Sequence, residues 1–240
     1  MPFEIKIKNV LKIFAFCIVI LIFDFWILNF FCYAAPCYGT NLPKKNKFQA
    51  GLGSYSVFKR YLADQAGKLR SQQQFVLFSY GVFEWLSLDL KGGAGYIKQR
   101  PVNGEEIYYH TFMGGGYGFR LKFYDRKRAR LVFGFQHISI HPQTAQIGGV
   151  KHKAVSDDWQ LSLLGSYSLK RIVPYLGTRV SRYDYIHWQN GERNRQKSDL
   201  TRSIGLIYGC DLPVTEKIWA NLEGSSFDSE AFSFSLNYNF

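Results

Sequence analysis

Acidic residues, cysteine, proline and methionine are all scarce in this chain, and each shortage excludes something. Against 30 Lys and Arg there are only 18 Asp and Glu, giving a formal net charge of +12. Four cysteines are too few for a disulfide framework. Cys17 and Cys32 lie in an N-terminal apolar stretch, and strand parity turns Cys210 toward the apolar outer face, so two free thiols, or a processing site that removes Cys37, are expected. Long apolar runs are also missing beyond Ile13 to Phe31, and the mean hydropathy of −0.15 is too low for a bundle of membrane helices. A membrane barrel escapes that exclusion, because only every second residue meets lipid.

What the chain has in quantity is aromatic residues, at 18%, and 22 glycines, a mix that suits strands and tight turns. Residues 1–35 read as a signal segment: Lys6, Lys8 and Lys12 lead an apolar core, and Tyr33-Ala34-Ala35 offers small residues for cleavage. Residues 36–46 then read as a short periplasmic lead, and residues 47–240 as one domain.

From Lys47 the chain divides into about ten extended segments, near 47–58, 72–83, 86–98, 108–123, 130–141, 159–170, 173–187, 200–212, 217–226 and 230–240. A count of eight stays open. Short links (83–85, 124–129, 170–172, 213–216) alternate with longer polar ones (59–71, 99–107, 142–158, 188–199), and a tight hairpin is expected at 227–229. Short turns on one side and long loops on the other are the asymmetry of a transmembrane up-and-down barrel.

Alternation alone does not say which face meets the core, since a soluble barrel alternates too. The polar face decides. Soluble exteriors carry Lys, Glu and Arg, whereas here that face is small: Gly114, Gly116 and Gly118; Ser162, Ser166 and Ser168; Ser203, Gly205 and Gly209. The opposite stripes are Leu86, Leu88 and Leu90; Met113, Tyr117, Phe119 and Leu121; Trp159, Leu161, Leu163 and Tyr167; Ile204, Leu206 and Tyr208. The fold class is therefore all-β, an antiparallel transmembrane barrel with the oily stripes outward and a narrow packed lumen. Tyr109, Trp159, Tyr183, Tyr185 and Trp188 are expected to form an interfacial girdle.

On lumen parity stand Asp89, Lys91, Arg120, Lys122, Arg179, Asp211 and Glu223. A small barrel has little water for them, so they must pair, either as a structural ion-paired filling or as the lining of a narrow selective pore. Arg179 with Glu223 is one candidate pair. Lys59, Arg60, Lys68, Arg70, Lys151, Lys153, Arg193, Arg195 and Lys197 fall in or beside the longer loops. There they could contact phosphates of lipopolysaccharide or another anionic partner. Nucleic acid is not expected as a partner of a membrane-embedded chain.

The final strand places Phe232, Phe234, Leu236, Tyr238 and Phe240 on one face and Ser233, Ser235, Asn237 and Asn239 on the other. It resembles the closing strand of bacterial outer-membrane β-barrels, which implies recognition by the barrel-assembly machinery and a place in a Gram-negative outer membrane. The stretch from Trp159 to Phe240 is similar to small domains of the outer membrane protein β-barrel family. Val173-Pro174-Tyr175-Leu176-Gly177-Thr178-Arg179, Gly205-Leu206-Ile207-Tyr208-Gly209 and Asn221-Leu222-Glu223-Gly224 carry that similarity. It specifies architecture and leaves function open.

One constellation points to catalysis. His137, Ser139 and His141 share a face near the outer end of a strand, and a Ser beside a His is the start of a hydrolase apparatus. His137-Ile138-Ser139 resembles the His-x-Ser pattern of the lipid A deacylase family, which implies His137 as base and Ser139 as nucleophile. Ile140 stands where that pattern has Asn, and the first carboxylates that follow are Asp157 and Asp158. His141, His152 and His187 lack Cys or carboxylates at metal-ligand spacing, and Gly114–Gly118 has no following helix to make a phosphate loop. No cofactor or metal is expected, and a non-enzymatic surface role is the leading reading.

Overall fold

The computed structural model describes residues 36–63 and 66–240; the expected signal segment, 1–35, lies outside the described residues. Twelve strands follow one another: β1 (Phe48–Tyr61), β2 (Lys68–Phe83), β3 (Leu86–Arg100), β4 (Ile107–Arg126), β5 (Ala129–Ile140), β6 (Ala145–Ile147), β7 (Val150–Tyr167), β8 (Val173–Gln189), β9 (Glu192–Lys197), β10 (Ile204–Pro213), β11 (Ile218–Ser226) and β12 (Ser229–Asn239). Ten of them close a ring in which every neighbour is antiparallel. β1 pairs with β12 and β7 pairs with β8, so the barrel wall has no free edge. β6 and β9 are the extra two, short wings hydrogen-bonded to the outer extensions of β7 and β8.

Residues 142–158 and 188–199, expected as loops, are thus largely sheet. The reason is turn chemistry. Gly148 and Gly149 take φ of 57° and 80°, and Asn190 and Gly191 take 49° and 93°, the positive values that two-residue hairpins require. The tight link at Phe227-Asp228 is as expected, with Phe227 at φ 79°.

The wall is oily outside and polar inside. Leu88, Leu90, Met113, Tyr117, Leu163, Tyr167, Leu176, Ile204 and Tyr208 are exposed outward, together with Phe232, Phe234, Leu236, Tyr238 and Phe240 of β12. Ser162, Ser166, Ser233, Ser235 and Asn237 are buried on the other face. Short turns gather at one end and long hairpins at the other, which sets the periplasmic and outer ends. At the short-turn end, Phe48 against Tyr80, Phe83 against Trp85 and Tyr238 against Phe240 make an aromatic girdle.

The outer girdle differs from expectation. Trp159 and Trp188 face outward, but Tyr109, Tyr183 and Tyr185 are buried in the lumen mouth. Tyr183 and Tyr185 share the parity of Arg179, and a register shift between Gly95 and Ile97 turns Tyr109 inward. Tyr61, Tyr96 and Tyr108 join the two tryptophans as outward aromatics at this level.

Residues 36–46 do not hang free of the barrel. Cys37, Tyr38 and Thr40 are buried among lumen side chains, so the narrow axis is filled partly by the chain that precedes β1. The glycine-lined strand β4 serves close backbone approach: a Cβ on Gly116 would lie 2.1 Å from the His137 carbonyl oxygen.

Candidate functional site

Two arginine centres organise the lumen. In the lower one, Arg120 on β4 donates from Nε and Nη2 to the two carboxylate oxygens of Asp89 on β3, each at 2.9 Å. This is the bidentate geometry that suits a buried guanidinium. Ser79 and Gln136 also donate to Asp89, at 2.6 and 2.9 Å, and Lys91 donates to Gln136. The remaining Arg120 nitrogen, Nη1, reaches the carbonyl oxygens of Tyr38 and Asn41, both at 2.9 Å.

The other lower carboxylates also turn to the lead segment. Glu223 accepts from the Cys37 amide at 2.8 Å and from the Tyr175 hydroxyl at 3.1 Å. Asp211 accepts from the Thr40 amide at 3.2 Å and from Asn221 at 2.7 Å.

The upper centre is built on Arg179 of β8. It grips Asp228, at the β11–β12 hairpin, through Nε at 2.7 Å and Nη2 at 3.0 Å, and donates to Ser225 and Ser229. Its ion-pair partner is Asp228 and not Glu223. The cause is register: the 227–228 hairpin folds its acid into the lumen, a position that strand parity does not foretell. Arg60 joins this centre, with Nη1 3.5 Å from Asp228 and Nη2 donating to Ser181. Arg60 was expected among the outer phosphate contacts, but only 1% of it is exposed. A register shift after Val57 places two successive residues, Phe58 and Lys59, outward and so sends Arg60 inside. Every other lumen candidate (Asp89, Lys91, Arg120, Arg179, Asp211, Glu223) is buried as expected; Lys122 sits near the lower end and pairs with Asp125.

The remaining expected cations stand on the outside at the outer end. Lys59 pairs with Glu230, and Arg70 pairs with Glu106. Lys59, Lys68 and Arg202 surround the Tyr61 ring at 5.1, 5.6 and 4.0 Å. Lys98, which the sequence did not single out, lies over both Tyr96 and Tyr108. Lys153 and Arg193 flank Trp188, Lys151 is exposed, and Arg195 pairs with Asp184. Lys197 is half-buried at the end of β9.

His137, Ser139 and His141 share the outward face, beside the upper edge of the apolar stripe. Ser139 Oγ donates to Asp157 Oδ1 at 2.5 Å and lies 3.0 Å from His141 Nε2. Asp157, which the sequence offered only as one of the first carboxylates to follow, is 18 positions away, but antiparallel pairing sets it directly opposite Ser139. His137, the expected base, packs against Trp159 with ring centroids 3.8 Å apart and planes tilted by 40°, and both its nitrogens are without a hydrogen-bond partner. Its Nε2 is 3.9 Å from Asp157. A relay needs the imidazole between Ser and acid; here the Ser stands between His141 and Asp157. Among the described residues no cluster of three metal-ligating side chains occurs, and Cys37 and Cys210 are free thiols.

A closed ten-strand antiparallel wall, oily outside and ion-paired within, defines the class: a transmembrane β-barrel of the bacterial outer-membrane kind. No family profile and no curated protein matches the sequence. Among solved structures, the chain is similar to the outer membrane protease OmpT from Escherichia coli, at 11% identity and a TM-score of 0.42, covering 85% of this chain and 100% of that one. It is similar also to the translocator domain of the autotransporter NalP from Neisseria meningitidis, at 12% identity and a TM-score of 0.45, covering 84% of this chain and 88% of that one. A third is the outer membrane protein OprG from Pseudomonas aeruginosa, at 9% identity and 0.40, covering 83% and 98%. At such values the class rests on the barrel's own geometry.

Proposed function

We propose that this barrel has a non-enzymatic surface role in the outer membrane, with the basic rows at its outer end gripping phosphates of lipopolysaccharide or a similar anionic partner. On this reading residues 1–35 direct export and the β12 face from Phe232 to Phe240 is read during assembly. One observation carries the proposal: Lys59, Lys68, Arg70 and Lys98 project outward at the level of Tyr61, Tyr96 and Tyr108. Interfacial aromatics mark the headgroup depth, so these cations sit where lipid phosphates do. Lys151, Lys153 and Arg193 extend the same charge along the β6–β7 and β8–β9 wings. The filling of the lumen supports a surface role over a pore, since Arg120, Gln136, Gln160, Arg179 and Asn221 are all buried there.

The test is lipopolysaccharide co-purifying with the protein. Reversing Lys59, Lys68, Arg70 and Lys98 to Glu should lower the bound amount, with the wild-type excess shrinking as salt rises. Unchanged retention rejects the proposal. A second reading, an esterase acting on lipid acyl chains, rests on Ser139 within hydrogen-bond reach of the His141 imidazole at the upper lipid edge, with Asp157 bonded to the Ser and not to the imidazole. It predicts lipid A shortened by one acyl chain in cells overproducing the protein, and intact lipid A with Ser139→Ala.

A further inference from the structure

Among the described residues, the segment Pro36–Asn41 is a stretch of lumen filling that belongs to no strand. Its hydrogen bonds to the wall among the described residues all use a wall side chain: Arg120 to two of its carbonyls, Glu223 and Asp211 to two of its amides, and Ser166 to the Thr40 hydroxyl. Gln160 donates to the Cys37 sulfur, and Lys91 lies 4.3 Å from the Tyr38 ring centroid. Tyr38 also belongs to one cluster with Tyr55, Phe75, Leu77, Ile138 and Ala231, and Cys37 to another with Leu164, Tyr175 and Ile207. Each of the ten barrel strands thus presents a side chain to this segment or to its cluster.

The match is chemical as well as steric. Cationic donors meet carbonyls, and carboxylates meet amides, so the wall recognises main chain. Tyr38 and Gly39 turn the segment through consecutive φ of 60° and 67°. A Cβ on Gly39 would lie 2.3 Å from Asp211 Oδ1 and 2.8 Å from Asn221 Nδ2, so only glycine fits there. Above the segment stand Arg60, Asp228 and Arg179, whose hydrogen bonds and ion pairs are with the wall itself; Gln160 bonds to both layers.

We infer that the periplasmic half of the lumen is a binding site for a short backbone segment, occupied in cis by Pro36–Asn41 as a releasable plug. The Arg60–Asp228–Arg179 bar is a second, separate closure above it. No ladder hydrogen bond ties the plug to the wall, so it can leave while the ring of strands stays shut. Its departure opens the lumen from the periplasmic side only as far as the bar.

The experiment uses the full chain in detergent micelles and a membrane-impermeant maleimide, with the Cys37 peptide read by mass spectrometry. The variant is Gly39→Val, which changes the plug and leaves every wall residue in place. Folded barrel is monitored by heat-modifiable migration. In wild type, Cys37 stays unmodified; in Gly39→Val it labels to completion over the same interval with the folded band retained. Arg120→Ala, a wall-side variant, should label Cys37 likewise. Planar bilayers should show no discrete conductance with Gly39→Val, because the bar persists. Labelling of Cys37 in folded wild type, or its protection in folded Gly39→Val, overturns the plug. Loss of the folded band in Gly39→Val makes the segment integral core and overturns its releasability. Conductance by Gly39→Val alone overturns the second closure.

Discussion

The two arginine centres use the same chemistry for different ends. Arg120 and Arg179 are each buried and each clamp an aspartate through two nitrogens. Arg179 directs its remaining donors to wall side chains, Ser225, Ser229 and Gln160, and so ties β8 to the β11–β12 hairpin. Arg120 gives a whole nitrogen to the carbonyls of Tyr38 and Asn41. One centre closes the wall on itself; the other holds a segment that the wall encloses. A buried guanidinium has five donors to satisfy, and where the spare ones point decides whether it acts as a weld or a latch.

Removing one partner of a buried pair costs about 3–5 kcal/mol, because the other charge stays behind uncompensated. Arg179→Ala should therefore give the largest loss, measured as the temperature at which the heat-modifiable band disappears, since Asp228 keeps only Arg60 and Ser181. Arg120→Ala should cost less, because Asp89 retains Ser79, Gln136 and the nearby Lys91. Equal losses would erase the distinction between the centres. Combining either change with Gly39→Val sharpens it further. Arg120→Ala and Gly39→Val release the same segment and should be markedly sub-additive, whereas Arg179→Ala and Gly39→Val should add.

The outer wings give a smaller effect, through pH. His152 Nδ1 lies 2.9 Å from His187 Nε2, above the apolar band, which ends on β8 between exposed Val180 and the buried ion pair of Arg182 with Asp184, where β9 begins to pair. Burial, and then the neighbouring His152, hold the His187 imidazole below its ordinary value. The unfolded wing then binds more protons than the folded one, so stability is full above the ordinary histidine value and falls as pH drops toward the folded value. Amide exchange of β7–β9 should quicken below about pH 6 while the lumen stays protected; His187→Gln should abolish that change. Smallest of all, Lys59→Ala should leave the unfolding temperature unchanged, since its pairing with Glu230 is exposed on both sides.

Much of the wall was legible because a period of two is a local property. The stripes through Leu88 and Leu90, Ile204 and Tyr208, and Phe232 to Phe240 face outward as the alternation implies. Where alternation slips, reading fails. The register shift after Val57 moved Arg60 from rim to lumen, and another beside Gly95 turned Tyr109 inward. The β8–β9 wing did have a local signal in Asn190-Gly191, the commonest hairpin turn pair, and the β6–β7 wing had one in Gly148-Gly149. The pairings that matter for chemistry had none. Ser139 with Asp157, and Arg179 with Asp228, join residues 18 and 49 positions apart.

Composition and alternation, read from the amino acids alone, were enough for a membrane barrel of eight to ten strands with charges inside, because each residue's face follows from its neighbours' parity. Only the closed ring decided which charge meets which, that the chain ahead of β1 fills the lumen, and that Asp157 stands beside Ser139. Those outcomes depend on strand register and on the volume left within the ring, and neither is fixed until distant segments have paired.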